Sequence, residues 1–157
     1  MTIVHEWVKD LGELKLIGLR VLCPGEEFGK EIPKASLELD RRIGEIRLVK
    51  NPSVQIGAFI VDAQSEEEDG YWVCVEVTDF VNVPEDMMAL TIPPQRYGSY
   101  RHRGPNHEIF NSYNVLHNRI EETEYEKAKE KWHLEIFTSW KDSHNLDVEL
   151  LDTLKWK

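Results

Sequence analysis

A chain of 157 residues can build one domain with its own core, and 41% hydrophobic and 10% aromatic residues exclude a disordered chain. Twenty-nine acidic against nineteen basic side chains give a formal charge of −10, which argues against nucleic acid as a direct partner, because phosphate binding needs a basic face. No apolar run approaches the ~20 residues of a membrane span, and the charged N-terminus (MTIVHEWVKDLGELK) is no signal peptide, so a cytoplasmic protein is expected.

In chain order, Lys15 to Leu22 is a β-rich run closed by Pro24-Gly25. A helix follows to about Ile46, with Ala35, Leu39, Ile43 and Ile46 on one face and Pro33 expected in its first turn, where a missing N–H costs nothing. Asn51-Pro52 breaks the chain, and Val54 to Asp62 and Tyr71 to Asp79 read as strands joined by the acidic loop QSEEEDG. Phe80 to Met88 is a link. Leu90 to Arg103 then reads as a long or bent strand interrupted by Pro93-Pro94 and closed by Gly104-Pro105. Asn106 is the expected N-cap of a helix carrying Ile109, Tyr113, Leu116 and Ile120 on one face. Past the polar run EETEYEKAKEK come two more strands, Trp132 to Trp140 and Leu146 to Leu154, around a turn at Asp142, Ser143, His144 and Asn145.

The same order of elements thus occurs twice, in repeats of approximately 14–79 and 87–155 within one domain spanning 1–157. Gly104 against Gly25 and Ile120 against Ile43 give offsets of 104 − 25 = 79 and 120 − 43 = 77, a duplication rather than a solenoid. The expected class is α+β: tandem β-α-β-β units with antiparallel sheets, helices on one face and a ligand cleft between the halves.

Strand alternation assigns the faces. Trp132, Leu134, Ile136 and Thr138 are expected against a helix, leaving His133, Glu135, Phe137 and Ser139 on the face without one. The repeat puts Gln55, Gly57, Phe59 and Val61 in the same position, so that Phe59 matches Phe137 and Gly57 matches Glu135. On the next strand Trp72, Cys74, Glu76 and Thr78 fall on that bare face, with Tyr71, Val73, Val75 and Val77 toward the helix. The expected cleft therefore holds Phe59, Trp72 and Phe137 around Glu135, with Gln55, Glu76 and His133 nearby. Rings attract flat or cationic ligands, and a carboxylate among them can neutralise a cation or, with a raised pKa, act as a general acid. The bland alternative is a solvated strand glutamate beside ordinary core rings.

GYWVCVEV, then VPEDMMALTIPPQRYGSYRHRGP, then a helix and WHLEIF, together resemble the gyrase-inhibitor-like (GyrI-like) effector-binding domain, a family that includes ligand-binding modules of multidrug-responsive transcription activators. The motifs fall on Tyr71 to Val77, Val83-Pro84, Ile92 to Tyr97 and Leu134 to Phe137, and the resemblance runs from about Leu14 to Lys155. It implies that the acid of the late strand, Glu135, contacts a small organic ligand with aromatic residues from both halves, here Trp72 and Tyr97. Cys74 stands where the family commonly has glycine, which alters the expected shape of the pocket.

Other constellations come to less. Arg96, Arg101, His102 and Arg103 before Gly104-Pro105-Asn106 could form an anion site with a helix N-terminus, or simply a solvated strand end. The six histidines lack metal-ligand spacing, no GxSxG or GKS/T motif occurs, and neither metal nor cofactor is expected. Cys23 and Cys74 form no CxxC; two buried thiols are expected over the alternative of a disulfide between them.

Three functional readings follow. The first is a free-standing, non-enzymatic effector-binding protein that captures a lipophilic compound, a cation among the candidates. It would sequester the compound or present it to another protein such as a separate regulator, since no helix-turn-helix precedes the first repeat. The second is a hydrolase of strained, cyclopropane-type electrophiles using Glu135 and Trp72. The third is an interaction protein of the gyrase-inhibitor type, with DNA gyrase as partner.

Overall fold

The computed structural model describes residues 5–157. Among these, nine antiparallel strands and two α-helices follow the order β1 (Val8–Leu11), β2 (Leu14–Val21), α1 (Phe28–Arg41), β3 (Gln55–Ile60), β4 (Tyr71–Val77), β5 (Met88–Ile92), β6 (Gln95–Gly104), α2 (Ile109–Glu121), β7 (Tyr125–Lys127), β8 (Trp132–Ser139) and β9 (Leu146–Trp156). The unit β2-α1-β3-β4 recurs as β6-α2-β8-β9. The halves share one sheet in the order β1-β6-β9-β8-β3-β4-β2-β5, with β7 pairing β9 at the side.

The long strand expected from Leu90 to Arg103 is two strands, because Pro93-Pro94 supplies no ladder donors. Those prolines carry the chain between halves: β5 pairs β2 of the first unit, whereas β6 belongs to the second. β1 makes the reciprocal crossing and pairs β6. Both crossings use two-residue connectors, Gly12-Glu13 and Pro93-Pro94, which span at most about 11 Å. In a flat sheet the strands they join would lie six intervals, roughly 29 Å, apart. The sheet therefore curls until its ends approach.

Its inner face is filled by one cluster with members from both ends: Leu16, Ile56, Ala58, Trp72, Cys74, Ile92, Tyr97, Leu134 and Leu151. Arg20 stacks 5.0 Å from the Trp72 ring at the rim and binds the carbonyls of Glu66 and Asp69, pinning the acidic β3–β4 loop.

The helices lie on the outer face. α1 packs on β2 and β4, where Leu39 and Ala35 meet Ile17, Val73, Val75 and Val77. The helix ends at Arg41, short of the expected Ile46; Ile43 and Ile46 reach the same core from the 3₁₀ turn Ile43–Glu45 and the extended residue after it. α2 packs on β6, and its Leu116 and Ile120 share a core with Val148 and Leu150 of the neighbouring β9. Pro33 is the sixth residue of α1, beyond the first turn, so the carbonyl of Gly29 lacks its usual partner four residues on. A 3₁₀ turn, Asn106–Glu108, precedes α2, whose N-cap is Glu108 rather than Asn106. With each helix over its own half, the central strands β3 and β8 are covered by neither. They floor a trough walled by α1 and α2.

Candidate functional site

Antiparallel pairing of β3 with β8 sets Gly57 directly against Glu135. The offset between them, 135 − 57 = 78, is the repeat offset itself, so the axis relating the halves passes through this pair. Glu135 points into the trough, on the helix side of the sheet. The site is therefore on the opposite face from the one expected without a helix. Leu134, Ile136 and Trp132, expected against a helix, pack instead with the inner cluster.

Two phenols hold the carboxylate. Tyr71, at the start of β4, donates to Oε1 at 2.5 Å. Tyr113, from the apolar face of α2, donates to Oε2. The Tyr71 phenol reaches Glu135 by crossing over Gly57, where a Cβ would lie 1.7 Å from its hydroxyl oxygen. Phe59 stacks on Tyr71 and on His133, with ring centroids 5.8 and 5.7 Å apart.

Burial pushes the Glu135 carboxyl above its ordinary pKa, against the pull of the two phenol hydrogen bonds, and the nearby charge of Asp152 pushes the same way as burial. Burial and the Glu135 charge hold both phenols well above their usual range, so they keep their protons and donate. The cavity above measures about 990 Å³ and is lined mainly by apolar side chains, among them Phe28, Ile32 and Leu37 of α1, Ile109 and Phe110 of α2, and Trp140 at one end.

A second polar group borders the cleft. Asp152 of β9 lies 3.0 Å from His133 Nδ1 and 2.8 Å from His117 Nε2 of α2. His133 Nε2 donates to the Ala128 carbonyl at 3.1 Å. Burial would raise the Asp152 pKa, but the two imidazoles overcome it and hold the carboxyl at about 2. A depressed carboxylate contributes stability above its unfolded value of 3.8 that is lost as pH falls through the folded one. Acid titration followed by circular dichroism is expected to show about 2 kcal/mol of stability lost between pH 4 and pH 2 that an Asp152→Asn protein lacks.

Of the residues singled out in the sequence, Glu135, Phe59, Phe137 and His133 meet in the cleft. Gly57 lies beneath the Tyr71 phenol. Gln55 is buried and donates to the Ser36 carbonyl at 2.9 Å, tying β3 to α1. Three residues are displaced: Trp72, Cys74 and Tyr97 belong to the inner cluster and are at most 1% exposed. Register puts Trp72 and Cys74 opposite Ala58 and Ile56 on the inner face, with Tyr97, so the sheet itself lies between all three and Glu135. Trp72 therefore cannot stack on a substrate beside Glu135, which removes one of the two residues of the hydrolase reading. Phe59 and Phe137 are repeat mates but not cross-strand partners; Phe59 pairs with His133 and Phe137 with Gln55.

The basic cluster forms no anion site either. Arg96 is paired with Asp10 and Arg101 with Asp147, while His102 bonds Ser112 and the Pro105 carbonyl. Cys23 and Cys74 are free thiols, Cys23 only half-buried. Among the described residues no set of His, Cys, Asp or Glu is placed to hold a metal ion, and no helix is long and apolar enough to cross a membrane. Sequence reasoning missed Tyr71, Tyr113, His117 and Asp152. The signal available was the alternation of β4, which puts Tyr71 on the helix side; placing Glu135 there too would have joined them.

Residues 8–151 match the family model of the GyrI-like small molecule binding domain. Among solved structures, the chain is similar to SAV2435 bound to tetraphenylphosphonium, with a TM-score of 0.70, 14% identity, and coverage of 94% of this chain and 92% of that one. It is also similar to the C-terminal domain of EcmrR, with a TM-score of 0.68, 18% identity and coverage of 96% of each chain. In the cryo-EM complex of EcmrR with DNA the TM-score is 0.69 at 18% identity, and this chain, 96% covered, spans 57% of the EcmrR chain. The comparison with curated proteins found no match. By its match over nearly the full length, the chain belongs to the GyrI-like small molecule binding domain family.

Proposed function

We propose that the trough between α1 and α2 captures a lipophilic organic cation, with Glu135 as its counter-charge, and that the protein is an effector-binding module in transcription regulation or in the response to a drug or toxin. The observation that carries this reading is a buried carboxylate, both oxygens bonded by phenols, at the floor of an apolar cleft of about 990 Å³. Burial makes a lone carboxylate costly, and a desolvated cation stacked among rings offsets that cost. The likeness of the fold to SAV2435 bound to tetraphenylphosphonium supports the ligand class, and the likeness to EcmrR in its DNA complex supports the regulatory setting.

Isothermal titration with tetraphenylphosphonium at pH 8 tests the reading. One site per chain is expected, with a dissociation constant in the micromolar range, a value typical of a mostly apolar pocket with one charged contact. No heat of binding for this or any other lipophilic cation of similar size would remove it.

A further inference from the structure

Glu135 stands on the axis between the halves, so the cleft runs away from it in two directions, and its two ends differ. One end is closed by the β8–β9 turn. Lys141 of that turn lies 3.5 Å from Asp40, near the end of α1, and the Asn106 N–H, ahead of α2, donates to the Ser143 carbonyl. Phe137, Trp140, Leu146 and Ile109 line this end. Its titratable side chains, Lys141 and His107, are mostly exposed and stand beside Asp40 and Glu108. The other end has Phe28 and Val61 but sets charged groups among them: Asp69 ahead of β4, Glu26 ahead of α1, Lys127 of β7 and the His117–Asp152 pair. The apolar part of a ligand is therefore directed toward Trp140, where it desolvates the fewest charges.

Two side chains at the Trp140 end pack into no core. Phe110, the second residue of α2, is 75% exposed, the most exposed large apolar side chain among the described residues, and Leu37 of α1 is 56% exposed. Both line the cleft, from opposite walls, and neither belongs to a hydrophobic cluster of the fold. The repeat shows that folding does not require them. Leu116 against Leu39 sets the helix offset at 116 − 39 = 77, which matches Phe110 to Pro33 and Leu37 to Asn114. Pro33 and Asn114 thus hold the equivalent places toward the charged end, and the exposed phenylalanine and leucine were placed at the Trp140 end alone. Left in water these side chains add nothing to stability; closed over a ligand, each removes apolar area from water.

We infer that the cleft takes amphiphilic cations: the charged head rests on Glu135, and an extended apolar tail runs along β8 to Trp140 beneath Phe110 and Leu37, which set the tail it accepts. This deepens the reading of the cleft as a cation site and rests on it. From Glu135 to Trp140 is 140 − 135 = 5 residues, about 16 Å at the rise of an antiparallel strand. That length exceeds what a compact cation fills and leaves the Trp140 end for the tail.

The test is isothermal titration of the full chain at pH 8 with butyltrimethylammonium and octyltrimethylammonium, which share a head and differ only in tail. Wild type is compared with Phe110→Ala and with Leu37→Asn, which copies the repeat mate. Two variants on different helices guard against one that fails to fold, which circular dichroism would reveal. Wild-type affinity is expected to rise on the order of 100-fold from the butyl to the octyl compound, about threefold per methylene. Phe110→Ala should lower octyl affinity about tenfold and Leu37→Asn about fivefold, with butyl affinity kept within about twofold. Equal wild-type affinity for the two tails, a gain that both variants keep in full, or an equal loss for both compounds overturns the inference. Tetraphenylphosphonium binding without a gain from tail length removes this inference alone, whereas failure of tetraphenylphosphonium and both ammonium probes to bind removes the cation reading itself.

Discussion

Replacing Glu135 with glutamine is expected to weaken tetraphenylphosphonium binding on the order of 100-fold without destabilising the protein. The affinity loss follows from Coulomb's law: opposite charges about 6 Å apart at an effective dielectric constant near 20 attract by about 2.8 kcal/mol. Stability moves the other way. The folded-state pKa of Glu135 is raised, so the stability this group contributes is complete below its unfolded pKa and is lost as pH rises through the folded one. At pH 8 the wild type carries that loss, whereas glutamine, which mimics the protonated acid, does not. The variant should therefore be at least as stable as wild type at pH 8, and the difference should shrink toward pH 4. Calorimetric titration paired with urea denaturation separates the two effects. Unchanged affinity, or affinity and stability falling together, would show that Glu135 serves packing rather than ligand capture.

The elements were legible because their signals are local. The alternation from Tyr71 and from Trp132, the Leu39 and Leu116 faces and the breaks at Pro24-Gly25 and Gly104-Pro105 fall where strands and helices begin and end. The acid was legible as well: Glu135 is a lone carboxylate inside an apolar strand, paired with a glycine. Which way it pointed was not. Alternation divides a strand into two faces but does not say which one a helix covers. The rule that apolar residues go under the helix fails on β8, because α1 and α2 each sit over their own half and leave the central strands bare. Leu134 and Ile136 face instead the interior made when the sheet curls. That curl depends on β1 and β5 exchanging halves, a non-local pairing with no local mark. β7 was missed because Tyr125–Lys127 pairs only at the sheet's side, and its sequence is mostly charged. Once β8 is turned over, Tyr71, Tyr113 and Glu135 converge without further assumption, and Trp72 and Tyr97 leave the site.

The other large effect is expected from a single methyl group. Gly57→Ala should destabilise the protein by about 3 kcal/mol, combining the ~1–3 kcal/mol cost of overpacking with loss of a hydrogen bond to a charged group, worth ~1.5–3 kcal/mol. The added Cβ would meet the Tyr71 hydroxyl oxygen at 1.7 Å and its Cζ at 2.3 Å. The ring has little room to yield: it is 7% exposed, stacked by Phe59 and bonded to Glu135. Moving aside means giving up Glu135, so tetraphenylphosphonium affinity should fall as well. A double-mutant cycle isolates the cause, since in a Tyr71→Ala background Gly57→Ala should cost well under 1 kcal/mol, leaving a coupling of about 2–3 kcal/mol. Additive costs would mean that Gly57 is required for some other contact. The cycle also decides how the asymmetry of the duplicated fold is to be understood. If the coupling is found, the missing side chain at position 57 is the space through which one half reaches across the axis to hold the acid of the other, and Gly57 and Glu135 are two parts of a single site.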